Sequence, residues 1–234
     1  MTRRSFATIA LAAALCAPSL ASAQQQTLKL TGAGSTVAQG VYVGPYNAQA
    51  TSNGSLFNSG TLFTVYCVDY YNHISMNAPY TANVTNLQNG NMANTRFGAG
   101  ELTDYRKAFY LTTLFTTTAT SQWGDLHASI WSLLGGSPNA PTGVFVTQAN
   151  NWYSTTGVNA DWSNAYVLTD VNMSHGNNGQ YYPGRGGVQE FVTGSFSLQT
   201  TNVVPEPSTY VLLGAGMIAV FGASRRKKQA TPAA

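Results

Sequence analysis

Residues 61–68 read Thr-Leu-Phe-Thr-Val-Tyr-Cys-Val, an alternation of apolar and polar positions rich in β-branched and aromatic side chains. That period of two is the mark of a half-buried strand. A second clear candidate runs over 188–198, and weaker ones lie at 28–31, 41–43 and 166–171. The period changes between them. Leu102, Tyr105, Phe109 and 111–114, then Leu126, Ile130, Trp131 and Leu134, recur at helical spacing, with Gly135, Gly136 and Pro138 as stop signals. Strands, then two or three helices, then strands predict an α+β fold: a strand-rich single domain with a central helical segment. No internal repeat of fixed period is present. The Gly/Asn-rich stretches 52–60, 86–100 and 172–187 read as long loops.

The composition narrows the function. The chain has 234 residues, of which only 8% are charged, with 11 Lys+Arg against 8 Asp+Glu. Charge-driven disorder is excluded, because it needs low hydrophobicity and high net charge. The formal +3 sits at the ends. Without Arg3, Arg4, Glu206, Arg225, Arg226, Lys227 and Lys228, five basic residues face seven acidic ones, a net of −2. A faintly acidic body with no basic stripe is no nucleic-acid binder.

Both ends read as addresses. Arg3 and Arg4 precede a short apolar run and the small residues Ala21-Ser22-Ala23, which predicts a signal peptide over 1–23 cut after Ala23. The arginine pair fits the general or the twin-arginine export route. At the other end, Pro205-Glu206-Pro207 leads into the uncharged run 209–223 and then the basic stop Arg225, Arg226, Lys227 and Lys228. The run is at the short limit for a transmembrane helix, and its glycines are tolerated in a membrane. This tripartite ending, 204–228 with a tail at 229–234, resembles the PEP-CTERM sorting signal of Gram-negative bacteria. The resemblance implies one partner, the membrane transpeptidase exosortase. It also implies a course: export, C-terminal anchoring in the membrane until processing, then the cell surface or the extracellular space.

The body, 24–203, keeps one cysteine, since Cys16 leaves with the signal. An unpaired thiol in an oxidising compartment is either a small core hydrophobe or chemically committed. Three patterns bear on the choice: Tyr66-Cys67-Val68 on a strand, Leu126-His127-Ala128-Ser129-Ile130-Trp131 on a helix, and Val188-Gln189-Glu190-Phe191 at the last strand. In this order they resemble the thioester domains of bacterial surface adhesins. Those carry an aromatic-Cys-aliphatic motif, a central Thr-Gln-x-Ala-Ile-Trp motif and a late aliphatic-Gln motif. This chain departs from the central motif, with Leu126-His127 in place of Thr-Gln and Ser129 in place of Ala. The resemblance implies an internal thioester between Cys67 and Gln189 that surface amines open, with His127 as a candidate base. Tyr66, Trp131 and Phe191 then form the shell that keeps water out. It also implies a single-use adhesin, not an enzyme, with no cofactor.

Other constellations are weaker. A cysteine peptidase built on Cys67 with His127 or His175 suffers from a cysteine in mid-strand, where nothing lowers its pKa. Asp69 and His73 offer two metal ligands and no obvious third. Asp170, Asn172 and Ser174 begin like a calcium loop, but Tyr181 stands where its glutamate belongs, so no metal is expected. Trp152, Tyr153, Tyr181 and Tyr182 are candidates for stacking on sugars. They carry the alternative function, a non-covalent exopolysaccharide-binding or structural matrix protein that shares only the sorting tail.

Overall fold

The computed structural model describes residues 24–38, 40–88, 91–98, 100–136, 141–173 and 187–198. These belong to one unit that ends at Leu198; a second unit, Gln199–Ala234, lies outside the described residues. So do the signal 1–23, His175, Tyr181, Tyr182 and the whole sorting tail.

Six strands close into an antiparallel barrel: β1 (Gln24–Ala33), β4 (Tyr46–Ala50), β5 (Leu62–Cys67), β8 (Phe191–Gly194), β7 (Ala165–Asp170) and β6 (Tyr80–Asn86), in that order around the wall. A small ribbon, β2 (Val37–Ala38) with β3 (Val41–Tyr42), lies outside it. Closure occurs because β1 pairs on both sides, with β4 through Leu28↔Ala50 and with β6 through Leu28↔Tyr80. A closed wall leaves no strand edge open to another chain.

Side-chain alternation decides what fills the cylinder. Leu28, Leu30, Ala48, Val65, Cys67, Ala82, Val84, Leu168 and Phe191 form its interior. On β4, Ala50 and Ala48 stand opposite Leu28 and Leu30, and on β6 Ala82 stands opposite Gln26, so small side chains make room for large ones across the wall. On the opposite face of the same strands, Val167 and Val192 pack against helices.

Three helices form the second layer: α1 (Leu102–Thr113), α2 (Trp123–Leu134) and α3 (Val144–Thr155). All lie between β6 and β7 in the chain, and α1 packs on both α2 and α3. Leu126, Ile130 and Leu134 of α2 join Tyr105, Phe109, Val167 and Val192 in this second core. Ala128 and Trp131, on another face of α2, enter the barrel core instead. The helix therefore seals the barrel at the end where Cys67 lies.

The α+β expectation holds in its elements, strands and three helices, while the closed barrel goes beyond it. The strand expected over 188–198 is shorter, since only Phe191–Gly194 pair as β8. Among the described residues no helix is long and apolar enough to cross a membrane.

Candidate functional site

Cys67 is the last residue of β5 and sits opposite Phe191 on β8. The ladder continues one step further, where the Val68 amide donates to the Glu190 carbonyl at 3.0 Å. This register sets Asp69 opposite Gln189. Gln189 lies two residues from Phe191 and so shares its face, toward the barrel interior and diagonal to Cys67. The consequence is a shared acceptor. The Cys67 thiol donates to the Asp69 carbonyl at 3.1 Å, and Gln189 Nε2 donates to the same oxygen at 3.3 Å. The sulfur and the carboxamide nitrogen thus stand at one atom, with Cys67 fully buried and Gln189 7% exposed.

A buried ionic network holds this junction. Arg96, on the loop before α1, makes an ion pair from Nε to Asp69 Oδ2 at 2.8 Å. Its Nη2 donates to the Val188 carbonyl at 2.7 Å, and its backbone amide donates to Glu190 Oε1 at 2.7 Å. One arginine therefore ties the residue two places after Cys67 to both neighbours of Gln189. Glu190 also accepts short hydrogen bonds from Tyr105 Oη and Thr169 Oγ1. Burial pushes the Glu190 carboxyl up to about 7, against these donors and Arg96, which hold it down. Asp170 accepts the Val188 amide at 2.7 Å and fixes the approach to Gln189 from the other side.

Burial also pushes the Cys67 thiol far above its ordinary value, and the nearby Asp69 carboxylate adds to the shift. The Trp131 indole lies against the sulfur and favours the thiolate, in the opposite sense. The thiol is protonated at neutral pH.

The aromatic shell differs from the expected one. Phe191 and Trp131 flank the thiol in the barrel core. Tyr66 does not. As the strand neighbour of Cys67 it must face the other way, and its ring stacks on Phe115 in the helical core, 5.5 Å between centroids. Its place is taken by Tyr46, edge-on to Phe191 at 5.8 Å, and Tyr70, edge-on to Trp131 at 4.9 Å.

His127 is likewise not placed as a base. Its Nδ1 accepts the Gly44 amide at 3.1 Å and its Nε2 meets the Cys67 carbonyl at 2.8 Å, so both ring nitrogens are committed to backbone. The first bond makes Nδ1 the acceptor, which leaves the proton on Nε2. Burial lowers its pKa to about 4, and the ring is neutral. His127 pins α2 to β5 and to the turn before β4. This geometry also removes the peptidase arrangement of Cys67 with His127, because the ring meets the cysteine's carbonyl and not its sulfur.

The remaining candidates lie elsewhere. Trp152 is on α3, where its ring stacks on Tyr110 at 4.1 Å and packs against Phe196 and Trp162. The Tyr153 hydroxyl accepts from Arg106 Nη1 at 3.4 Å. One face of Trp152 is therefore covered by Tyr110. Asp170 Oδ1 accepts from the Asn172 amide, a local turn. Among the described residues no group of three or more His, Cys, Asp or Glu is placed to hold a metal.

Sequence reasoning missed Asp69, Arg96 and Glu190 as a unit. Glu190 was adjacent to a motif residue, but nothing in the sequence linked it to a loop arginine 94 positions away.

Comparison with known proteins addresses the other end of the chain. Residues 203–227 match the family of the PEP-CTERM protein-sorting motif, which contains Pro205, Glu206, Pro207 and most of the basic stop. The chain is thus an exosortase substrate, an exported protein anchored in the membrane for sorting and then delivered to the surface. No curated protein and no solved structure matches it.

Proposed function

We propose that the exported body is a covalent attachment domain in which Cys67 and Gln189 form an internal thioester that a primary amine opens. The observation that carries this reading is the common acceptor: Cys67 Sγ and Gln189 Nε2 both point at the Asp69 carbonyl, inside a sealed barrel end. In the forming step Sγ adds to Cδ of Gln189, the Cδ–Nε2 bond breaks, and the thiol proton leaves with the nitrogen as ammonia. The high thiol pKa requires that the proton depart during attack instead of before it. In the second step an amine nitrogen adds to the same carbon, the C–S bond breaks, and the sulfur takes a proton from the amine. The product is an amide and a free thiol. Since the acyl group is not restored, the domain acts once and is a binding protein, not an enzyme. Trp131, Phe191, Tyr46 and Tyr70 exclude the competing water.

Intact mass of the native, tail-processed protein tests this. A thioester lowers the mass by one ammonia, and methylamine adds its own mass in return. An unmodified mass with a thiol that reacts with iodoacetamide under native conditions rejects the bond. Methylamine uptake that persists in Cys67→Ala rejects Cys67 as the acyl carrier.

A further inference from the structure

Two buried donors of the barrel core that holds Cys67 have no oxygen or nitrogen acceptor. Among the described residues, the indole Nε1–H of Trp131 and the hydroxyl of Tyr80 are inaccessible to solvent and lack an oxygen or nitrogen partner; the indole has only the Cys67 sulfur, a weak acceptor. Such orphans are rare in folded proteins and cost free energy, so each calls for an explanation. Both belong to the same barrel core as Cys67 and Phe191. They enter it from different directions. Trp131 descends from α2, and Tyr80 comes from the start of β6, across the cylinder from β5. The Trp131 indole interacts directly with the thiol, and the Tyr80 hydroxyl is buried within the electrostatic reach of Asp170 first, then of Cys67 and Glu190. Elsewhere in the barrel polar side chains are satisfied: Gln26, also fully buried, donates to two carbonyls and accepts from the amides of Leu56 and Phe57.

We propose that Trp131 Nε1–H and Tyr80 Oη–H are the donors that receive the acyl oxygen of Gln189 when the thioester forms and again when an amine opens it. This rests on the thioester reading above. When Sγ adds to Cδ, the Oε1 double bond opens and its electron pair stays on oxygen as an oxyanion. Expulsion of Nε2, with the thiol proton, restores the double bond. Amine attack repeats the sequence with sulfur as the leaving group. The Asp69 carbonyl binds the nitrogen side of the carboxamide, which leaves Oε1 to find its partners elsewhere. Donors preset in a dry site favour the oxyanion most, because nothing must reorganise as the charge appears. Gln189 then bridges two kinds of group: an acceptor at its leaving nitrogen and donors at its oxygen.

The test uses Tyr80→Phe, which removes one oxygen and no ring, and Trp131→Phe, which removes the N–H with part of the indole. Fractional thioester is read by intact mass, and uptake of methylamine by its rate. The thioester carbonyl is read as an infrared band in protein labelled with ¹³C-glutamine. Tyr80→Phe is expected to melt within a few degrees of wild type while methylamine uptake slows about 10²-fold, the usual cost of one such donor. The carbonyl band moves to higher wavenumber in each variant as its hydrogen bond is lost. An unchanged uptake rate and an unmoved band in Tyr80→Phe remove Tyr80 from the role, and the same result in Trp131→Phe removes Trp131. If Trp131→Phe fails to fold, Tyr80→Phe alone decides the proposal. A wild-type protein with no ammonia loss overturns the thioester reading itself, a distinct result.

Discussion

Replacing Glu190 with Gln should change the pH dependence of folding in a way that isolates a single proton. In the folded chain the Glu190 carboxyl is raised from 4.5 to about 7, first by burial. Between those pH values the fold keeps a proton that the unfolded chain has released. A group of this kind stabilises the fold in acid, and its contribution is lost as pH rises through about 7. At ~1.4 kcal/mol per pKa unit the swing amounts to about 3 kcal/mol. His127 works in the opposite sense, lowered from 6.5 to about 4. The unfolded chain binds a proton there that the fold refuses, so stability falls as pH drops from 6.5 toward 4. In the wild type the two slopes largely offset each other between pH 4.5 and 6.5. Gln keeps an acceptor for the Arg96 amide and Thr169, offers an N–H to Tyr105, and carries no proton to lose. Urea melts followed by tryptophan fluorescence at intervals from pH 4 to 8 give both curves. The difference, variant minus wild type, should rise by about 3 kcal/mol across that range, because every other ionisable group cancels in it. Parallel curves would refute the argument and show that Glu190 binds its proton no more tightly in the fold than in the unfolded chain.

His127→Gln should keep most of the stability, because a carboxamide also offers one acceptor and one donor for the Gly44 amide and the Cys67 carbonyl. His127→Leu leaves both backbone groups buried and unpaired and should cost about 2–4 kcal/mol by urea denaturation; equal losses in the two variants would contradict the clamp. Gly44 has φ of 101°, and an added Cβ would lie 2.7 Å from the Trp123 ring. Gly44→Ala should therefore lower stability by about 2 kcal/mol and the Tm by about 4–8 °C, read by calorimetry. Trp152→Ala should cost about 3 kcal/mol because the ring is packed on Tyr110. Unchanged stability with selective loss of exopolysaccharide binding would instead restore Trp152 as a sugar platform.

The β5 strand with Cys67, the strands at β1 and β7, and helices α1 and α2 were legible because their burial follows a clean period of two or 3.6. The strands β4 and β6 were not. Tyr-Asn-Ala-Gln-Ala and Tyr-Thr-Ala-Asn-Val-Thr-Asn put alanine at buried positions, opposite Leu28 and Leu30 in β4 and opposite Gln26 in β6, and so they look like loop. Helix α3 carries Phe145, Ala149 and Trp152 at helical spacing, yet its β-branched, Asn-rich surroundings hid the pattern. Closure of the barrel depends on β1 pairing with two distant strands, which no local periodicity encodes. At the site, the order of the motifs points to the juxtaposition of Cys67 and Gln189, but Tyr66 faces the helical core because neighbours on a strand alternate between faces. The departure at His127 also becomes intelligible: the imidazole bonds backbone at both nitrogens, a job that a glutamine is equally shaped to do.

The position of Gln189 two residues ahead of β8, the last strand of the barrel, has a mechanical consequence. Only the short stretch through Leu198 separates it from the segment that carries the sorting motif. A cargo fastened to that glutamine and tugged away from the envelope would load β8 and little else. The remaining five staves of the cylinder would feel the tension only as neighbours of β8, through the hydrogen bonds of β5 and β7 on its two flanks. Grip strength would then be governed by how firmly one four-residue strand is seated between them, and not by the stability of the whole domain.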